Sequence, residues 1–197
     1  MAIKITKDHR SDDSVVFDND HIAIPGTMKR FVGRNLNTSI VATEIARIII
    51  PGNEVYDGMV INWKAWSAII NSSGATRTLQ FRLYVNNTLV YHDTTGNIAT
   101  SATNLSHLTD MYFSLNEDLG LVYTNGMFLS GGRDAPTVGG IGGMATSVVV
   151  PTGPFQGGNA NWRPGDDLNI YFTIQLSNSE ATSGFNNTNN IVIINPR

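Results

Sequence analysis

The stretch "TLQFRLYVNNTLVYHD", Thr78 to Asp93, constrains the fold more than any other part of this chain. Leu79, Phe81, Leu83 and Val85 fall on one side of an extended backbone, with Thr78, Gln80, Arg82 and Tyr84 on the other, because successive strand side chains point to opposite faces. Wound into a helix, this period of two would gather no apolar face at all. Asn86 and Asn87 then interrupt the alternation. Asparagine tolerates positive φ better than other residues with a Cβ, so a two-residue type I′ hairpin turn is the favoured connection. That turn sets Leu83 opposite Val90, whereas a three-residue loop sets it opposite Tyr91. The sequence leaves both registers open.

The same texture recurs along the chain. "TEIARIII" stops at Pro51-Gly52, where a residue without an N–H and one that turns freely end a ladder. In "GMVINWKAWSAII", Gly58 to Ile70, the set Met59, Ile61, Trp63, Ala65 and Ser67 is the expected core face, and Val60, Asn62, Lys64 and Trp66 point away from it. "DMYFSLNED", "LGLVY", "GMFLS", "TSVVVP", "DDLNIYFTIQLSN" and "NNIVIINPR" read as further strands. Thr94 to about His107, Gly131 to Ala145 and "PTGPFQGGNANWRPG" read as loops, being rich in glycine, proline and small polar residues. The expected fold is therefore all-β: a single antiparallel, jelly-roll-like β-sandwich of about eight strands. It occupies residues 39–197. Residues 1–38, with short apolar pieces and no sustained period, are expected to form an extended N-terminal anchoring arm with one or two short strands.

Composition narrows the function. Only 15% of the 197 residues are charged, against about 25% in typical globular chains, and Asn, Thr, Ser and Gly fill the difference. A polar but weakly ionised surface suits strands and turns better than exposed helices. With 13 basic and 16 acidic residues the net charge is -3, and the basic residues near the N-terminus are interleaved with aspartates, so no nucleic-acid partner is expected. No apolar run approaches the roughly 20 residues of a membrane span, and "MAIKITKDHRSDD" does not read as a signal peptide, so no membrane partner is expected. With no cysteine, disulfides, thiolate metal sites and cysteine nucleophiles are excluded.

Nor do the remaining residues spell out a catalytic site. Ser106, His107 and Asp110 lie close in sequence, but a triad is made by side chains that meet in space, and such coincidences are usually structural. Glu117-Asp118 and Asp166-Asp167 form a glycosidase pair only if the fold brings them together across a cleft. Asp18-Asn19-Asp20 lacks the glycine and distal glutamate of a calcium loop, and "GGIGG" lacks the Gly-Lys-Ser/Thr of a phosphate loop. No catalytic residue, cofactor or metal ligand is expected. What remains are side chains suited to contact: Phe155, Trp162, Tyr84 and Arg82, on a partner subunit or on a glycan.

Taken together, "TEIARIIIPGNEV", "GMVINWKAW", "TLQFRLYVNNTLVYHDTT", a glycine-rich loop and the late "PGDDLNIYFTIQLSNS" resemble the small jelly-roll modules of tailed-bacteriophage virion proteins: head fibres, capsid decorations and tail knobs. The likeness covers roughly residues 40 to 197. It implies a non-enzymatic virion structural protein made in the host cytoplasm, a homotrimer held to other capsid or tail proteins by its N-terminal arm. The alternative is a carbohydrate-binding module or lectin-like receptor-binding domain, with a host surface glycan as partner.

Overall fold

The computed structural model describes residues 20–23, 25–37, 40–71, 75, 77–94, 102–131, 153–177 and 183–196. These hold twelve strands: β1 (Asp20–Ile22), β2 (Met28–Phe31), β3 (Asn35–Asn37), β4 (Thr43–Ile50), β5 (Val60–Asn71), β6 (Leu79–Val85), β7 (Thr88–Thr94), β8 (Ala102–Asn116), β9 (Leu121–Gly131), β10 (Gly153–Asn161), β11 (Leu168–Leu176) and β12 (Ser183–Ile194). Among the described residues the only helical turn is a 3-10 turn at Gly52–Glu54.

Two sheets form a β-sandwich. One is five-stranded, in the order β1-β4-β11-β6-β7; the other is seven-stranded, in the order β10-β9-β8-β5-β12-β2, with β3 also paired to β12. Every pairing is antiparallel except β1 on β4, which is parallel. The expected sandwich is present, but with twelve strands rather than about eight. Part of the excess lies in residues 20–37, which supply three short strands, one to the five-stranded sheet and two to the seven-stranded sheet.

Two segments expected as loops are strands. Residues 102–107 open β8, and "GPFQGGNAN" is β10. Proline and glycine are depleted in strands, yet β10 is an edge strand, where a missing N–H costs no ladder bond, and its register against β9 shifts between Gln156 and Asn159, a bulge centred on Gly157-Gly158. The expected strand "TSVVVP" and most of the glycine-rich loop lie outside the described residues.

The hairpin uses parts of both readings. Asn86 and Asn87 have φ of 47° and 64°, so the turn is the two-residue one, and Val85 pairs with Thr88. The register then slips: Leu83 pairs with Tyr91, leaving Val90 as an extra residue in β7. Val90 is buried, and Tyr91 packs on Phe81 at 6.4 Å between ring centroids. The turn also closes on other strands. Asn86 N–H donates to Asn169 O at 2.8 Å, and Asn169 N–H donates to Asn86 Oδ1 at 2.9 Å.

The core is a chain of rings from one edge to the other. Phe31 packs on Trp63 (6.0 Å), Trp63 on Phe172 (5.5 Å) and Phe172 on Phe81 (5.2 Å), each pair adding about 0.5–1.5 kcal/mol beyond the area it buries. Beside Trp63 lies a buried polar network. Trp63 Nε1–H donates to Asn190 Oδ1 at 3.0 Å, and Asn190 Nδ2 donates to Asn187 Oδ1 and, at 3.4 Å, to Phe31 O. Asn187 Nδ2 donates to Ser67 Oγ at 3.2 Å, and Gly33 N–H donates to Asn187 Oδ1 at 2.8 Å. Residues three apart on a regular strand face opposite ways. Asn187 and Asn190 both point inward because β12 carries one extra residue between Asn187 and Asn189. The network fixes the 31–33 segment to β12, and Gly33 is there because a Cβ would lie 2.7 Å from Ile45 O and closer still to Asn187.

Candidate functional site

At one end of the sandwich three connections converge: residues 51–59 between β4 and β5, residues 117–120 between β8 and β9, and residues 162–167 between β10 and β11. They are tied to one another. Gly52 N–H donates to Asp167 Oδ1 at 2.7 Å, Trp162 N–H to Gly120 O at 2.8 Å, and Glu117 N–H to Asp57 Oδ1 at 2.7 Å. A Cβ on Gly52 would lie 2.1 Å from Gly165 O, so the first and third connections touch backbone to backbone. The Tyr56 hydroxyl donates to Asn195 O at 2.6 Å and sits 2.9 Å from Asn195 Oδ1, which in turn accepts Val60 N–H at 2.6 Å. The end of β12 is thereby pinned to the same frame.

This frame encloses a cleft of about 560 Å³ lined by Val55, Tyr56, Asp57, Glu117, Trp162 and Pro164. Val55, Trp162 and Pro164 contribute apolar surface to it, while Asp57, Glu117 and Tyr56 supply oxygen atoms. Among the described residues its lining includes two carboxylates and no basic residue. Trp162 buries its indole Nε1 with no acceptor among the described residues.

The residues singled out from sequence are scattered. Trp162 is not a loop ring offered to solvent: it is 3% exposed and belongs to the core, because the strand before it carries it under Gly120. Phe155 lies in β10 opposite Gly126. Tyr84 and Arg82 stand on the outer face of the five-stranded sheet, in a side-chain ladder. There Glu44 holds Arg47 by two contacts of 3.0 and 2.5 Å, and the Arg47 guanidinium lies 4.4 Å over Tyr171. Tyr171 stacks on Tyr84 at 4.8 Å and 9°. Both ring faces of Tyr171 are therefore occupied, and burial raises its phenol pKa while the Arg47 charge opposes the rise. Arg82 donates to Gln175 Oε1 at 2.8 Å and Gln80 Oε1 at 2.6 Å, and Gln175 Nε2 donates to Ile40 O at 2.7 Å. Its fork is held within the sheet face.

The other sheet presents a different outer surface. Met28 pairs with Ile193, Ile193 with Asn62, and Asn62 with Tyr112, so these four form one row across β2, β12, β5 and β8. Met28 is 54% exposed, Ile193 46% and Tyr112 43%, with Val60 beside them at 43%. The charges of Lys64 and Asp110 in the next row meet at 3.3 Å, and Asp110 also accepts Asn62 Nδ2 at 2.6 Å.

Sequence neighbours that suggested catalysis are separated. His107 points into the core and Asp110 to the outer face, three residues apart on β8. The His107 ring is 2.9 Å from Thr109 Oγ1 and edge-on to Phe185, and burial pushes its pKa down to about 4. Glu117 meets Asp57, not Asp166 or Asp167, in the cleft. Among the described residues no three His, Cys, Asp or Glu side chains gather as a metal site. Tyr56 and Asp57 escaped the sequence reading because they look like an ordinary turn after Pro51-Gly52, 60 residues from Glu117.

No family model matches the chain, and no curated protein matches it. Among solved structures, the CBM2 module of the evolved Dit of Lactobacillus casei BL23 phage J-1 is similar over 91% of this chain and 84% of that one, at 11% identity and a TM-score of 0.32. A likeness of that degree assigns no function.

Proposed function

We propose that this chain is a non-enzymatic structural protein of a bacteriophage virion, a capsid decoration or fibre component that assembles as a homotrimer. In this reading the segment before β1 holds it to capsid or tail proteins. The exposed row Met28, Ile193 and Tyr112, with Val60, carries the assembly part of the reading. Soluble monomers rarely leave several large apolar side chains exposed together on a flat face, here with only Asn62 between Ile193 and Tyr112. β5 is twelve residues long, about 40 Å, and six strands about 4.8 Å apart span about 24 Å. That face matches the roughly 800 Å² per partner of a standard interface. Lys64 and Asp110 compensate each other on it, so another copy packed against this face meets little unbalanced charge. The resemblance of the strand series to phage jelly-roll modules supplies the virion context.

Light scattering of the purified chain tests the reading. A trimer is expected, and the double substitution Ile193→Lys with Tyr112→Lys is expected to yield monomers with an unchanged β-sheet spectrum. A monomeric wild type would sink the assembly reading.

A further inference from the structure

The cleft shares no lining residue with the row Met28, Ile193, Tyr112 and Val60, and can be judged apart from it. Its volume, about 560 Å³, lies within the roughly 300–1,000 Å³ of small-ligand sites, and such sites pair apolar walls with a few convergent polar groups. The hydrogen bonds that link its three connections make it preformed, so a ligand would not have to order the loops first. Ionised carboxylates only accept hydrogen bonds. Asp57 spends one oxygen on Glu117 N–H, while the exposed Glu117 carboxylate has no hydrogen-bond or ion-pair partner among the described residues. The cleft therefore asks for donors: hydroxyls, or an ammonium group. The same lining includes Val55, Pro164 and the border of Trp162, suited to the C–H faces of a ring. With 3% of its surface open, Trp162 does not offer a free indole plane, so stacking is a minor part of recognition. The two carboxylates, with no basic side chain in the lining among the described residues, turn acidic ligands away.

We infer that this cleft is a saccharide site that takes uncharged and, preferentially, amino sugars and rejects acidic ones, with Glu117 and Asp57 as its accepting groups. The inference does not depend on the oligomeric state: a chain found monomeric would lose the assembly reading and keep this one.

The test is a titration of the full chain with glucosamine, galactose, glucuronic acid and ethanolamine, followed by ligand-observed NMR and by tryptophan emission, to which Trp162 contributes. Glucosamine is expected to bind most tightly, galactose more weakly, and glucuronic acid and ethanolamine not measurably. In Glu117→Gln the glucosamine affinity is expected to fall about tenfold, as for a lost charge-assisted hydrogen bond, with galactose little changed. In Glu117→Ala both are expected to weaken. Because Glu117 is exposed and its backbone makes the tie to Asp57, these variants keep the fold, which an unchanged thermal transition would verify. Failure of both non-acidic sugars to bind, ethanolamine binding as tightly as glucosamine, preference for glucuronic acid, or an unaffected Glu117→Ala variant would each overturn the assignment.

Discussion

The two sheets of this sandwich differ in chemistry. The five-stranded sheet is apolar within, through Ile48, Ile170, Phe172, Leu83 and Phe81, and mostly polar without: Glu44, Arg47, Tyr171 and Tyr84 form one ladder, Arg82 is held by Gln80 and Gln175, and Leu89 opposite Tyr84 is the exposed apolar exception. The seven-stranded sheet buries Ser67, His107, Thr109, Asn187 and Asn190 among its inward side chains and leaves Met28, Ile193, Tyr112 and Val60 on its outer face. A surface whose side chains satisfy one another gives little to a partner; one that keeps apolar area open is unfinished until something covers it. Of the polar side chains inside the second sheet, Ser67, Asn187 and Asn190 belong to one network that anchors residues 31–33.

The contrast can be broken first by acid. His107 has a pKa of about 4 in the fold against an ordinary 6.5, so between those values the unfolded chain binds a proton that the native chain refuses. Stability is expected to fall by about 3 kcal/mol as pH drops from about 6.5 to about 4, and this contribution to level off below that. Urea unfolding across the range, with His107→Gln as control, would show it. A wild-type slope no steeper than that of the variant would remove His107 as the cause.

A smaller effect separates the outer faces. Tyr171→Ala deletes the ring held between Arg47 and Tyr84 and its hydroxyl bond to Asn87 Oδ1, and is expected to cost about 2 kcal/mol without altering the assembled mass. Tyr112→Ala on the opposite face is expected to do the reverse: stability within about 0.5 kcal/mol, mass shifted toward monomer. If both variants behaved alike, the two faces would not differ in kind. Least of all, Arg82→Ala should cost about 0.5 kcal/mol in the same unfolding assay, because its partners are half-exposed side chains that water can serve. A loss of several kcal/mol would mean that the five-stranded face depends on that fork.

Much of the fold was legible because strict alternation leaves little choice: β4, β5, β6 and β11 stand where the pattern places them, and the inward set of β5 is the expected one. β10 and the opening of β8 were not legible, since their glycines, asparagines and serines carry no hydrophobic period and are held in strands by pairing partners far along the chain. The hairpin register was half legible. Its turn chemistry is local, but the slip at Val90 is not a property of the turn. The cleft was hidden for a further reason: Asp57, Glu117 and Trp162 are brought together by three connections, and no spacing in the sequence announces a meeting across two sheets. Trp162 misled because its neighbours are polar while the ring itself is buried.

The added residue in β12 has a consequence beyond the two asparagines. From Ile191 to Ile194 the strand reads Ile-Val-Ile-Ile, apolar at every position, so hydrophobicity does not say which two of the four go inside. Counting does. With Thr188 as the bulge, Val192 and Ile194 are buried and Ile193 faces out. Were the same residues to run as a regular strand, with Thr188 in the ladder instead of bulged out of it, the parity of the last strand would reverse, Asn190 would turn from Trp63 toward solvent, and the two inward places would pass to Ile191 and Ile193. A single residue thus works as a frame marker for the end of the chain, choosing by number what composition leaves undecided.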